Sequence, residues 1–192
     1  TATTGGGPYP SVSYDIGVPA PETPQATGAS GEPDDGVQKV STSYIVTLVS
    51  QYGEEGAPSL PTRIVSRWDG GAVSLAGLGY NSGARVIASK RIYRSEQSGS
   101  YLFVAEIPAA QQSYSDTVPS LNLGESVPSI QYDVPMPDMI GLTALPNGIL
   151  MGWSGNTLCF SEPYLPHAWP VAYQLAFDAD IVAAAVSASG VI

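Results

Sequence analysis

The sequence has one cysteine, one histidine and seven basic residues among 192, and each scarcity removes a class of explanation. A lone thiol, Cys159, forms no intrachain disulfide, so the fold must rest on packing. One His and one Cys do not fill a zinc site. No Asp-x-Asp-x-Asp-Gly calcium loop is present, and Asp34-Asp35 and Asp178/Asp180 read as solvated acids. Seven Lys and Arg against 17 Asp and Glu give a net charge of -10 and a pI near 4.2. That balance argues against phosphate-neutralising nucleic-acid binding and against an anionic membrane face. Long apolar runs are lacking too: the stretch worth testing, 181–192, is too short to span a bilayer, and no basic-then-apolar leader is seen. The expectation is a soluble protein, and the apolar Gly190-Val191-Ile192 suggests a piece of a longer chain.

What is abundant is glycine and proline. The 21 Gly and 17 Pro make 38 of 192 residues, against a typical share of roughly 12%, which excludes long helices. Residues 1–33 read as linker, with an edge strand at 11–16 that completes an upstream element. Residues 34–133 carry short β-branched and aromatic runs separated by turn residues, the pattern of an all-β immunoglobulin-like or fibronectin type III-like sandwich. Strands are predicted over 44–50, 64–68, 72–78, 85–94 and 101–107. Asp69-Gly70-Gly71 is expected to close one hairpin and residues 95–100 another. In the strand 101–107, Tyr101, Phe103, Ala105 and Ile107 should share one face, because side chains alternate. A Pro-rich seam over 118–137 leads into 134–192, a partial β domain. There Ser154-Gly155-Asn156 joins two strands, and 181–186 reads as a further buried strand or, given its alanines, a helix. So few strands do not close a core unaided.

No constellation of catalytic residues emerges, and no cofactor is implied. His167 is the only residue that a Ser-His-Asp relay could use, yet no Gly-x-Ser-x-Gly elbow is present, and Pro166 and Pro170 brace it in a packed loop. Of the carboxylates that glycoside hydrolysis would need in pairs, Glu54 and Glu55 lie in a turn where charge is easily solvated. Glu106 should face solvent or an inter-sheet rim. Glu162 sits in a tight apolar setting, where it is expected to accept backbone N–H groups or meet an Arg. Phe160, Glu162, Tyr164, His167 and Trp169 are therefore the candidate residues of a structural loop or interface. Gly5-Gly6-Gly7 precedes no helix, so nucleotide binding is unsupported. Trp68, Trp153 and Trp169 are core candidates first and docking candidates second.

Tyr44-Ile45-Val46-Thr47-Leu48-Val49, Tyr52-Gly53-Glu54-Glu55-Gly56-Ala57-Pro58-Ser59, Arg91-Ile92-Tyr93-Arg94-Ser95, Phe103-Val104-Ala105-Glu106-Ile107 and Tyr114-Ser115-Asp116-Thr117-Val118 look like a fibronectin type III-like module of tailed-bacteriophage structural proteins. Leu145-Pro146-Asn147-Gly148-Ile149 and the run from Cys159 through Trp169-Pro170 resemble the stretch where such proteins pass into a β-propeller-like domain. The resemblance implies a virion protein of the tail tube or nozzle. It would assemble as a homo-oligomeric ring with other virion proteins, passing DNA without binding it specifically, with no membrane partner and no catalysis. Residues 134–192 would then be one propeller blade or less. The alternative is an extracellular carbohydrate- or receptor-binding module, marked by a surface cluster of Trp68, Tyr80 and Tyr93. A hydrolase would need a catalytic domain outside these residues.

Overall fold

Extended strand accounts for all the regular structure of the described residues except two single 3-10 turns, Ser120–Asn122 and Val171–Tyr173. The computed structural model describes residues 14–29, 31, 33–69, 71–81, 85–97, 99–187 and 190–191. In chain order the first seven strands are β1 (Gln25–Thr27), β2 (Val40–Ser50), β3 (Val65–Arg67), β4 (Val73–Ala76), β5 (Ile87–Glu96), β6 (Leu102–Pro108) and β7 (Ser113–Asp116). They form two antiparallel sheets, one in the order β1-β4-β7 and the other in the order β3-β2-β5-β6. The molecule is all-β, with a sandwich built from these two sheets.

The core lies between them. Tyr44 and Val46 of β2 and Ile92 of β5 meet Ala26, Val73 and Leu75 of the opposing sheet, all nearly free of solvent. Burial of each large aliphatic side chain contributes about 1.5–3 kcal/mol. The four-stranded sheet is covered on its other face as well, where Ile45 and Tyr93 pack with Val127. Val127 arrives there because residues 124–127 run along the open edge of β6, exchanging backbone hydrogen bonds with Phe103 and Tyr101. The Pro-rich seam is thus docked, and it blunts a sheet edge.

Three local expectations are corrected. Asp69 and Gly71 do flank a turn, with Gly71 N donating to Trp68 O at 2.9 Å, and Gly70 lies outside the described residues. It closes no hairpin: β3 pairs with β2, and β4 pairs with β1 and β7, so the chain changes sheets there. Val73 and Leu75 can reach the core only from the opposing sheet, and that burial outweighs the local turn signal. In β6 a bulge pairs Ile92 with Ala105 but Tyr93 with Phe103, leaving Val104 as the extra residue. Val104 and Ile107 therefore face the core, while Tyr101 and Phe103 pack on the outer face with Ile45 and Tyr93. Of the edge strand expected at 11–16, residues 11–13 lie outside the described residues and 14–16 are not in a strand. The same Pro-rich segment nevertheless supplies fully buried Val18, packed on Leu48 and Ile87, and the strand β1.

Beyond the seam, β8 (Ile140–Ala144), β9 (Leu150–Ser154), β10 (Thr157–Phe160) and β11 (Gln174–Ala176) form a four-stranded antiparallel meander in sequence order. The β9–β10 hairpin is as expected, with Ser154 opposite Thr157 across Gly155-Asn156. Met151, Trp153 and Leu158 make its core. Gly141 holds φ +69° against the Trp153 ring, where any Cβ would overlap the indole. Residues 181–185 are neither strand nor helix. Val182 is exposed, while Ile181 and Ala184 pack on the sheet core. Alanine side chains bury too little area to drive regular pairing there. Only Val186–Ser187 (β12) pairs, with Gly190–Val191 (β13).

Candidate functional site: a charged junction between the sandwich and the C-terminal sheet

Strand β2 ends in a tight turn in which Gly53 takes φ +79° and Ser50 N donates to Glu54 O at 2.9 Å. The chain then runs back antiparallel to β2, with Gly56 N, Ser59 N and Thr62 N donating to Leu48, Val46 and Tyr44 carbonyls. This return places Glu54 and Glu55 at the end of the sandwich that faces the C-terminal sheet. It also overturns their reading as solvated turn residues.

Glu55 is only 6% exposed. Its Oε1 accepts hydrogen bonds from Thr47 Oγ1 (2.7 Å), the Tyr93 hydroxyl (2.7 Å) and Ser129 Oγ (3.2 Å), while Oε2 takes Arg91 Nη1 at 2.6 Å. A buried carboxylate requires such saturation, since an unpaired one would cost several kcal/mol. Arg91 also binds Glu106, which is held by Ser89 as well. Glu106 sits on the rim with its side chain 42% exposed, as expected. Burial and the bond to Glu55 push the Tyr93 phenol well above its ordinary range. Glu54 accepts from Ser50 Oγ (2.7 Å) and pairs with Arg85, whose Nη1 also donates to Asp15 O. Burial opposes ionisation of Glu54, but the Ser50 and Arg85 hydrogen bonds outweigh it and hold its carboxyl below the usual range.

The loop after β10 closes the junction from the other side. Ser161 Oγ accepts Leu150 N, Glu162 N donates to Ala168 O, and Trp169 N donates to Asp133 O on the seam. His167 and Trp169 point inward and are buried; the indole Nε1 donates to Pro166 O at 3.0 Å. His167 meets Tyr132 edge-on, with ring centroids 5.9 Å apart, and its Nδ1 lies 4.0 Å from Glu54 Oε1. Among the described residues neither ring nitrogen has a side-chain hydrogen-bond partner, and the polar group against the ring is the Glu55 backbone. Burial pushes the imidazole pKa below its ordinary value, against the pull of Glu54.

The remaining candidates divide. Phe160 is half-buried against the sheet core, and Tyr164, at φ +61°, is exposed with its ring laid over Gly148. Glu162 meets no Arg: its carboxylate faces the Tyr173 hydroxyl, whose pKa it raises by charge and hydrogen bonding. The chain has no basic residue after Arg94 to meet it. The proposed aromatic cluster does not come together. Tyr93 is buried on Glu55, and Trp68 and Tyr80 are half-buried beneath different lysines, Lys39 and Lys90.

Sequence reasoning missed a second buried set. Arg94, Asp116 and Tyr44 meet inside the sandwich. Arg67, fully buried, bonds Glu96 and the Val118 carbonyl. Lys90 Nζ donates to the Leu78 and Gln111 carbonyls, and burial lowers its pKa. In the run Ile87–Glu96, polar Lys90 and Arg94 are spaced by four around apolar Ile92 on the inward face, the one signal that betrays them. Of the seven basic residues, only Lys39 and Arg63 are left exposed, against ten exposed Asp and Glu among the described residues.

These groups fix position; Glu55 has no unshared oxygen with which to act as a base, and among the described residues no three ligating side chains gather to hold a metal. Compared with known proteins, the chain matches no family model and no curated sequence.

Proposed function

We propose that this chain is a structural component of a tailed-bacteriophage particle, a ring-forming tail or nozzle protein at the conduit through which the genome leaves. The observation that carries the reading is the withdrawal of positive charge from the surface. Five of the seven cations are committed to buried or ion-paired positions, and the exterior is left strongly acidic. Such a surface repels the phosphate backbone and lets DNA slide, whereas binding demands a cationic patch. The motif resemblance to tail proteins supports the same reading. So does the C-terminal meander, since four antiparallel strands in sequence order are the unit from which propeller blades are made.

The test is to locate the chain in purified particles by cryo-electron microscopy and count its copies around the tail axis, alongside a mobility-shift assay with duplex DNA at low salt. A ring of copies and no shift are expected. A monomer absent from particles that binds a glycan or host receptor would replace this reading with the extracellular binding module.

A further inference from the structure

Among the described residues, nothing pairs with either edge of the C-terminal sheet, which is almost without charge. Between Asp138 and Asp178 the only Asp, Glu, Lys or Arg is Glu162, and strands β8 to β11 hold none of the chain's 17 acidic and 7 basic residues. Sheet edges in monomers are ordinarily guarded by Lys, Pro or inward-pointing charge. Neither Ile140–Ala144 nor Gln174–Ala176 has any of these; the guards they do carry are a bulge between Ile140 and Thr143 on β8 and the three-residue length of β11. Among the described residues, nine of the sixteen exposed large apolar side chains lie at or beyond Val134.

The two edges also differ in shape. On β8, Ile140 and Leu142 stand out, 59% and 50% exposed. Beside β11 lies an apolar hollow of about 380 Å³, lined by Leu158, Phe160, Leu175, Phe177, Ile181 and Ala184. One edge presents knobs and the other a hole. Strand direction fits the same pairing. Each neighbour in the order β8-β9-β10-β11 is antiparallel, so β8 and β11 run in opposite directions. A second copy related by rotation that keeps strand direction therefore brings its β8 antiparallel to the first copy's β11, the stronger of the two ladder types.

We infer that a second copy of this chain docks head-to-tail on this sheet, its β8 edge adding to β11 and its Ile140, which is in register with Trp153, Leu158 and Leu175 on one sheet face, entering the hollow. Copies that each carry a charge of -10 must meet where charge is absent, and this sheet is that place. The contact is heterologous, so it closes into a ring or extends as a filament according to the rotation between copies. It deepens the ring reading above and rests on it only for closure. Membership of a particle is tested by imaging, the contact by solution assembly.

The experiment uses two exposed-site variants of the 192-residue chain, Ile140→Lys to block β8 and Leu175→Lys to block β11, with mass measured by light scattering after size exclusion. Wild type is expected to assemble beyond a dimer. Each variant alone should be monomeric, and an equimolar mixture should form a dimer that grows no further, because one free β8 edge meets one free β11 edge. Circular dichroism matching wild type confirms that both variants fold; should one unfold, Ile140→Thr or Leu175→Thr replaces it and must weaken assembly. Wild type that stays monomeric at high micromolar concentration overturns the inference. So does either variant dimerising alone, which would mean an isologous edge, or both assembling like wild type, which would mean another surface.

Discussion

Arg94 of β5 and Asp116 of β7 face each other across the sandwich, Nη1 to Oδ2 at 2.5 Å, with neither side chain reaching solvent. The pair ties the four-stranded sheet to the three-stranded one, and the Tyr44 hydroxyl of β2 joins it on the same oxygen at 2.8 Å. Asp116 Oδ1 takes Val118 N at 2.9 Å, fixing where the chain leaves β7. Buried pairs of this kind add little net stability, because desolvation offsets attraction, but removing one partner strands the other.

Asp116→Ala is therefore expected to cost about 3–5 kcal/mol, leaving the Arg94 guanidinium only the Glu96 carboxylate it shares with Arg67 and the Val118 carbonyl, and Tyr44 without its acceptor. Equilibrium urea unfolding reads the loss. Adding Arg94→Met to Asp116→Ala should recover part of it; if the double variant is no more stable than the single, the charge left behind is not the cause.

Glu55→Gln keeps the size of the side chain but cancels the charge that meets Arg91 and three hydroxyls, and should cost about 1.5–3 kcal/mol. Ser129→Ala removes only the hydrogen bond from the seam and should cost about 1 kcal/mol. Hydrogen exchange distinguishes the two. Ser129→Ala should speed exchange at Val127 and Tyr132, whose amides pin the seam, while leaving β5 protected.

Acid should weaken the junction in a window set by His167. Its ordinary value is 6.5 and burial lowers it in the folded protein. Between the two values the unfolded chain holds a proton that the folded chain does not, so stability is complete above 6.5 and falls as pH drops toward the folded value. Glu54 and Glu106, whose folded values are depressed, begin to withdraw their contributions only below 4.5. Comparing unfolding midpoints at neutral pH and at mildly acid pH above that carboxylate window should show a loss in wild type. In His167→Phe, which keeps the aromatic contact with Tyr132, the loss should vanish. Equal slopes in the two proteins would assign the acid sensitivity elsewhere.

Trp169→Ala is expected to destabilise by about 3–5 kcal/mol, since the ring is fully enclosed and its Nε1 is bonded. Tyr164→Ala, five residues earlier in the same loop but exposed, with its ring resting on Gly148, should change stability by no more than about 0.5 kcal/mol. Thermal melts of the pair test whether the loop is a core element on one side only.

The elements legible in the sequence were those fixed by local pattern. The alternation and turn residues of β5–β6 and of β9–β10 place both hairpins, and the proline-braced setting of His167 and Trp169 identifies a packed loop. What was illegible depended on partners distant in sequence. Asp69-Gly70-Gly71 has hairpin chemistry, yet sheet membership is decided by which core Val73 can reach. Glu55 follows a glycine turn and looks solvated because Tyr93 and Ser129, which bury it, lie 38 and 74 residues away. The Val104 bulge leaves no mark at all in a run that alternates well enough to read as regular strand.

The burial of cations changes what a protease can report. Trypsin cuts after Lys and Arg, and the chain has none beyond Arg94, while Arg67, Lys90 and Arg94 are enclosed. Survival of residues 95–192 under trypsin is thus a property of composition and says nothing of folding. Chymotrypsin, for which Tyr164, Tyr173 and Phe177 stand exposed, is the enzyme whose cuts should disappear when neighbouring copies cover the C-terminal sheet.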